Sequence, residues 1–414
     1  MKSRAHPAAA LFLAALLFVP VLARAQGNIS LGRVQIHPLI SYQGTWDDNI
    51  FLEHSNEESD YLHTLKTAIG LEYRRDDRNF LLADAGLDII RYDRFSENDY
   101  EEYTFGGRGR YTAPSGFLIE VRERFVDTED PYATLNNFQL GEPRVKRWNN
   151  TAGLSLGLEP GGPWTLRVGY DYFRLEYDEF RDQWQDRTDH RFEIRSSYRV
   201  LPKTSVLLVY RLQDQTYPNQ DDPDDNNQGI DSQTSQDNQY HQVFTGLSFD
   251  PTAKISGEFK IGLSKKDYAN DRDHNDQAFN DDLEWAAETE LVYAMSPKTR
   301  FRGELIRSTF ESTDPEAGSY TSTRFGLGLT KELGRRLTLT ADAAYIYEDY
   351  DTGGGFPDRE DDIYVLSLGL DYRFWKWLEL GLGYVYEDRS TSSDAFRVEE
   401  YTHNQVIGSI TARF

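Results

Sequence analysis

From Val34 onward the chain alternates apolar and polar positions with a period of two. Leu378, Leu380, Leu382, Tyr384 and Tyr386 share one face of a run whose other face carries Glu379, Gly381, Gly383 and Glu387. Trp164, Leu166, Val168, Tyr170 and Tyr172 alternate in the same way with Thr165, Arg167, Gly169 and Asp171, and the pattern returns over 255–264 and 337–348. A period of two places successive side chains on opposite faces of a strand, so these runs predict strands with two unlike environments. The runs extend over roughly 11–14 residues, whereas strands of soluble sheets average about five or six. A tilted strand crossing a bilayer needs about 9–11 residues.

Short and long connections take turns between these strands. The short ones fall at 76–79, 113–116, 160–163, 201–204, 251–254, 296–299, 334–335 and 375–376, and Pro, Gly, Asn or Asp supplies the turn geometry in most of them. The long ones fall at 47–60, 94–99, 128–145, 177–186, 217–237, 268–280, 312–319, 350–361 and 391–398. Eight short and nine long connections join eighteen strands; one hairpin fewer would leave sixteen. A propeller blade would use four short strands per repeat, and a soluble sandwich has no use for so many long ones. The expected fold is therefore all-β: a transmembrane antiparallel up-and-down barrel over residues 34–414, with short periplasmic turns and long extracellular loops. Val406, Gly408, Ile410, Ala412 and Phe414 alternate up to a terminal aromatic. This resembles the C-terminal strand of bacterial outer-membrane barrels, which implies recognition of Phe414 by the barrel-assembly machinery.

The first 25 residues read differently. Lys2 and Arg4 precede an apolar run from Ala8 to Val19, and Ala23-Arg24-Ala25 has the form of a signal-peptidase site. The run is shorter than the roughly 20 residues of a spanning helix. A cleaved signal peptide over 1–25, a periplasmic tail over 26–33 and export to the cell outer membrane of a Gram-negative bacterium are expected.

Composition sharpens this picture. The 414 residues hold 45 Lys+Arg against 69 Asp+Glu, a formal charge of −24, with no cysteine. Such a balance excludes a basic nucleic-acid binder, and the missing cysteines exclude disulfide frameworks, thiolate metal sites and thiol nucleophiles. The 26 Tyr, 23 Phe and 7 Trp argue against disorder. Acidic residues gather in the long connections: Asp221, Asp222, Asp224 and Asp225 in one, and Glu348 through Asp362 in another. Several short turns instead carry Lys203, Lys254, Lys298, Arg335 and Lys376. Solvation of loops explains the acidic runs, and so does binding of divalent cations alongside lipopolysaccharide. The Asp221–Asp225 run lacks the spacing of an EF-hand and is a weak metal candidate. No other cofactor is expected.

If the apolar faces meet lipid, the opposite faces line a lumen. That set comprises Lys66, Glu72, Asp84, Asp88, Arg108, Arg110, Glu120, Arg122, Arg124, Arg167, Asp171, Arg195, Glu258, Lys260, Arg302, Glu304, Arg324, Asp342, Asp371, Arg373 and Glu379. Two readings stay open: a wall stiffened by mutual salt bridges, or a hydrated path whose charges tune selectivity. Ile90, Tyr92 and Phe173 on the same side would offer sugar-stacking surfaces or fill space. Catalysis finds little support. Gly153-Leu154-Ser155-Leu156-Gly157 matches G-x-S-x-G but sits inside an alternating strand with no following helix, and the eight His show no zinc spacing.

Ser41-Tyr42-Gln43-Gly44-Thr45-Trp46-Asp47-Asp48-Asn49-Ile50-Phe51 resembles the opening of the putative beta-barrel porin 2 family, in which an aromatic strand leads into an Asp-Asn-aliphatic-aromatic stretch. The resemblance implies an outer-membrane barrel associated with exopolysaccharide secretion, with polysaccharide and periplasmic export proteins as partners. Asp47, Asp48 and Asn49 read as an Asx-type turn at the outer rim or as ligand contacts. The function expected is passive passage of a polar polymer, exopolysaccharide in particular. A non-conducting platform for assembly or adhesion and a general small-solute porin stand as alternatives, and an enzyme comes third.

Overall fold

The computed structural model describes residues 29–129, 146–178, 180–219, 235–272, 279, 281–312, 317–352, 357–393, 395 and 400–414. The signal-peptide segment and the Asp221–Asp225 run lie outside the described residues. The strands are β1 Ile29–Leu31, β2 Val34–Asp47, β3 Asp60–Asp76, β4 Asn79–Tyr92, β5 Tyr100–Thr112, β6 Phe117–Thr128, β7 Arg147–Leu158, β8 Trp164–Tyr177 and β9 Arg187–Leu201. They continue as β10 Thr204–Thr216, β11 Asn238–Phe249, β12 Ile255–Tyr268, β13 Glu284–Ser296, β14 Thr299–Glu311, β15 Ser319–Glu332, β16 Leu337–Asp351, β17 Arg359–Arg373, β18 Leu378–Thr391 and β19 Tyr401–Arg413.

Each strand from β2 to β19 pairs antiparallel with its neighbour in sequence, and β19 pairs back onto β2, so eighteen strands close a barrel. The strands run from 12 residues in β6 to 17 in β3, longer than the sequence pattern suggests, because the ladders continue beyond the apolar band at both rims. Short turns occupy the eight expected places. At Gly116 the backbone turns at φ 86°, and a Cβ there would stand 2.2 Å from the Glu159 carbonyl oxygen, so the turn requires glycine. Among the described residues no helix is long and apolar enough to cross a membrane; the crossing elements are strands.

The outward series is greasy and uncovered. Leu366, Leu368, Leu370 and Tyr372 of β17, Leu154, Leu156 and Leu158 of β7, and Phe259, Ile261 and Leu263 of β12 are all exposed. In water such a surface would aggregate; in a bilayer it is the solvated side. Its upper boundary is marked by a repeated diagonal contact. Tyr42 reaches His63 at 2.5 Å, Tyr170 reaches His190 at 2.8 Å, Tyr210 reaches His241 at 2.9 Å, Tyr345 reaches Asp362 at 2.5 Å, and Tyr384 reaches Asn404 at 2.7 Å. In each case the partner stands on the next strand, two residues nearer the long loops than the tyrosine's direct neighbour. These hydroxyls lean toward water from an apolar belt, as interfacial tyrosines do.

The seam between β2 and β19 is held at both ends. At the long-loop rim, Asp48 accepts bonds from the backbone N–H and the Nδ2 of Asn404, both at 2.7 Å. Asp47 lies 2.9 Å from His403 Nε2 and accepts from Gln405 Nε2 at 2.9 Å, while Asn49 Nδ2 donates to the Thr402 carbonyl at 3.1 Å. Asp47 also accepts the Asn49 N–H at 3.0 Å, which is the Asx-type turn. At the short-turn rim, the Phe414 N–H donates to Pro38 O at 3.1 Å, and its ring stacks on Trp377 at 5.7 Å. Ala412 and Phe414, read from the sequence as part of the exposed apolar face, are buried there. The stretch assigned to a periplasmic tail adds strand β1, whose residues pair with Val34–Ile36 and cover the edge of β2 just below the point where β19 ends.

Leu327 is the most exposed apolar side chain of the wall and lies mid-strand in β15. Leu327→Arg is expected to destabilise the barrel by about 2–4 kcal/mol in lipid vesicles, as a charge at the bilayer midplane does. The inward-facing change Asp342→Asn on β16 should cost much less. Equilibrium denaturant titration of the folded barrel in vesicles compares the two.

Candidate functional site

The interior divides into two halves of different character. Toward the short turns many inward side chains stay wet: Arg108 is 54 % exposed, Asp84 54 %, Asp342 47 % and Arg302 42 %. Toward the long loops they withdraw from water. Asp361 is 0 % exposed and Arg389 4 %, and Asp189, Gln215, Asn238, Lys266 and Glu311 are buried as well. Polar groups so withdrawn need partners. Asp361 accepts from both Arg359 and Arg389, at 2.9 and 2.5 Å; Arg389 also donates to Tyr350 at 3.1 Å, and the Tyr350 ring stacks on Tyr320 at 4.9 Å. Lys266 pairs with Glu311, which also accepts from Asn238 Nδ2 at 2.9 Å. These strand ends form two buried, hydrogen-bonded clusters at the long-loop end of the lumen, one on β15–β18 and one on β11, β12 and β14, which together make up a buried outer layer of the wall.

All the sequence-predicted lumen residues except Asp371 and Arg373 form ion pairs among the described residues. Lys66 meets Asp88 at 3.0 Å, Arg124 meets Asp84 at 3.1 Å, Arg108 meets Glu120 at 2.8 Å, and Arg122 meets Asp171. Glu72 binds Arg74 at 2.6 Å, and Glu159 draws in both Arg110 and Arg167. Glu304 sits between Arg302 and Arg324, Arg302 leans on to Asp342 at 3.7 Å, and Glu379 meets Arg413 at 3.4 Å. The wall is thus ion-paired and, in its short-turn half, wet at the same time. Exposed pairs of this kind contribute little stability each.

A tighter network fills one side. Arg211 of β10 binds Glu193 at 3.0 Å and Glu288 of β13 at 2.6 Å. Lys260 of β12 reaches Glu288 at 2.5 Å, and Arg195 of β9 pairs with Glu258 of β12. Two of these contacts join strands three apart, which stand about 14 Å from one another along a flat wall. They can touch only where the wall bends sharply. The bend encloses a dry nucleus of Leu207, Val209, Phe244 and Ala286, with Arg211 and Lys260 over the Phe244 ring, each at 5.8 Å. Gly246, beside Phe244 on β11, allows the close backbone approach: a Cβ there would stand 1.8 Å from Phe259 O. Glu193, Arg211 and Glu288 share the alternation of the inward series on β9, β10 and β13, which is the sequence signal that marks them as lumen residues beside those named above.

Ile90 and Tyr92 face inward and are buried against Ile50, so they fill space. The Phe173 ring lies under the Arg187 guanidinium at 5.2 Å. Ser155 stands mid-strand in β7, paired with Glu120 and Gly169, in no turn before a helix. Among the described residues no group of three or more His, Asp or Glu side chains is arranged to hold a metal ion. Asp250, in the turn between β11 and β12, is held below the usual carboxylate range by the Thr252 hydroxyl and N–H, at 2.6 and 2.7 Å. Asp186, in the connection before β9, accepts the Tyr177 N–H at 2.7 Å and Asn219 Nδ2 at 2.8 Å, and burial pushes its carboxyl up to about 6.

A family described as putative beta-barrel porin 2 matches residues 24–414. The chain belongs to that family. Membership and the closed, lipid-facing barrel imply an outer-membrane location for this porin-like chain. Among curated proteins no relative matches it. Among solved structures it is similar to the outer membrane protein OpdK from Pseudomonas aeruginosa, at 10 % identity over 94 % of this chain and 100 % of that one, with a TM-score of 0.49. OpdQ of the same organism matches at 12 % identity over 93 % and 100 %, with a TM-score of 0.48. A mutant ferric enterobactin receptor, PfeA, also from that organism, matches at 8 % over 92 % and 80 %, with a TM-score of 0.44.

Variants at Glu288 inside the barrel and at Asp186 in the connection before β9 test these contacts. Glu288→Ala leaves Arg211 and Lys260 short of a counter-charge and should destabilise the barrel by about 3 kcal/mol, with the pair Arg211→Ala and Glu288→Ala costing less than the sum of the single changes; urea midpoints in detergent micelles report both. The raised Asp186 pKa means its neutral form fits the folded loop better. Its contribution is complete below about pH 4, the ordinary range, and is lost as pH rises through about 6. The protection factor of the Tyr177 amide, its exchange corrected for the base-catalysed intrinsic rate, should therefore rise on acidification from pH 7 to 5, and Asp186→Asn should keep it high at both.

Proposed function

We propose that this outer-membrane barrel is a passive conduit for a polar polymer, an exopolysaccharide leaving the cell, that is restricted at its outer end. The observation carrying this reading is the wet, ion-paired inner wall of the short-turn half. It presents hydrogen-bond donors and acceptors at every level without a deep well for a small ligand, which suits a chain that must slide. The energy for movement is supplied elsewhere, since the barrel offers weak, repeated contacts and no chemistry. The buried layer of Arg359, Asp361, Arg389, Tyr350 and Lys266 favours a second reading, a closed barrel serving as an assembly or adhesion platform through its acidic loops.

Planar-bilayer recording separates the two. Intact protein should give small or rare current steps, and Asp361→Asn together with Arg389→Gln should raise the conductance several-fold by unlocking the layer. Absence of current from the intact protein, this variant and a form lacking residues 220–234 would sink the conduit reading and leave the platform.

A further inference from the structure

The turn from β17 to β18 breaks the habit of the other short turns. Those carry Gly, Pro, Asn or Asp, while this one reads Phe374-Trp375-Lys376-Trp377. Turn geometry therefore does not account for its residues. Trp375 and Trp377 stack at 4.9 Å with planes 27° apart, and Trp377 is backed by Phe414. Trp375 is half-exposed. Beside the indoles is a cavity of about 270 Å³ lined by Arg373, Trp375, Lys376, Trp377, Glu379 and Arg413, among others. Arg373, Glu379 and Arg413 belong to the inward series, so the cavity opens on the lumen mouth and not on the lipid belt that interfacial tryptophans usually face. Glu379 is engaged by Arg413. Arg373 makes no ion pair among the described residues.

We propose that this corner is a docking site for an acidic saccharide at the periplasmic mouth. Indole faces suit the apolar faces of pyranose rings; Trp377 lies between Trp375 and Phe414, so the half-exposed Trp375 is the indole left open to a single sugar ring. Arg373, Lys376 and Arg413 around that indole match carboxylates carried on the sugar, with the planar guanidinium groups able to bind them in bidentate fashion. A neutral sugar would leave the cations unused, and a polyanion without rings would leave the indoles unused. Arg335 and Arg336 on the adjacent short turn, and Lys203, Lys254 and Lys298 on others further round, add positive charge to this rim beside Asp76, Asp77 and Asp250, whereas most acidic loop residues gather at the opposite end. An anionic chain is thus gathered at one mouth and repelled at the other, so return is disfavoured. This inference rests on the conduit reading for its context but is tested without any current.

Isothermal titration of the full-length barrel in a neutral detergent compares oligogalacturonate, a maltooligosaccharide of equal length, and poly-glutamate. Oligogalacturonate should bind, more weakly as salt is raised, and the other two should bind at least roughly tenfold more weakly, a difference of about 1.4 kcal/mol. Trp375→Ala keeps the Trp377–Phe414 stack and should weaken oligogalacturonate roughly tenfold; Arg373→Gln should weaken it and flatten its salt dependence. Fluorine NMR of 5-fluorotryptophan-labelled protein without substitutions should show the Trp375 signal shifting on addition of the acidic sugar, a readout that needs no variant to fold. No binding of oligogalacturonate, equal binding of poly-glutamate or the neutral sugar, or an unmoved Trp375 signal would overturn the assignment. Those outcomes leave the conductance result untouched, so failure of the site and failure of the conduit are told apart.

Discussion

In hydrocarbon a backbone N–H or C=O without a partner costs several kcal/mol, and no water is present to supply one. A sheet of long strands can therefore enter a bilayer only if its first and last edges meet. Here that duty falls on one ladder, β2 against β19, running from Asp47 opposite Gln405 to Leu39 opposite Arg413. The Asp47-Asp48-Asn49 stretch supplies side-chain bonds where that ladder begins, and Phe414 and β1 finish it where it ends. A motif that reads from the sequence as turn or ligand contact is thus a clasp on the closing edge, and the lipid-facing and water-facing sides of every other strand follow from closure.

Closure alone does not set the cross-section. The network of Glu193, Arg195, Arg211, Glu258, Lys260 and Glu288 ties strands three apart and so draws the wall inward over Phe244. Removing one member would leave a charge in a partly dry place, so such a network resists piecemeal change even though its net contribution is modest. The same logic holds in the outer layer, where Asp361 between Arg359 and Arg389 is stable only while all three are present. Buried and tightly paired at one end, wetter and loosely paired at the other, the lumen is graded along its axis.

Much of this was legible beforehand because the sheet's grammar is local. Alternation at 164–172 or 378–387 states which side chain goes where, and Pro or Gly marks most turns. The barrel, its eighteen strands and its inner face follow from such short stretches. What sequence pattern could not supply is which charges meet. Arg211 and Glu288 lie far apart along the chain and are joined by curvature, while Arg122 meets Asp171 over the bare Gly153 that is the cross-strand partner of both. The burial of the outer layer was equally hidden, since Asp361 and Arg389 alternate no differently from the wet Asp371 and Arg373 further down the same hairpin. Glu311 and Lys266 look like rim charges in sequence but are interior in space. Strand β1 was hidden because three residues are too few to show a period.

The seam also has a consequence in time. Every other ladder joins neighbours in sequence and can form as a hairpin, one after the next. The closing ladder joins residues some 360 positions apart, such as Asp47 and Gln405. By polymer statistics, shutting so large a loop in one event costs about 2 kcal/mol more entropy than shutting a forty-residue hairpin. Zipping the intermediate strands first brings those ends together step by step and spreads that cost over many small, rewarded moves. The ring is thus made in order, and its last stitch waits on all the others.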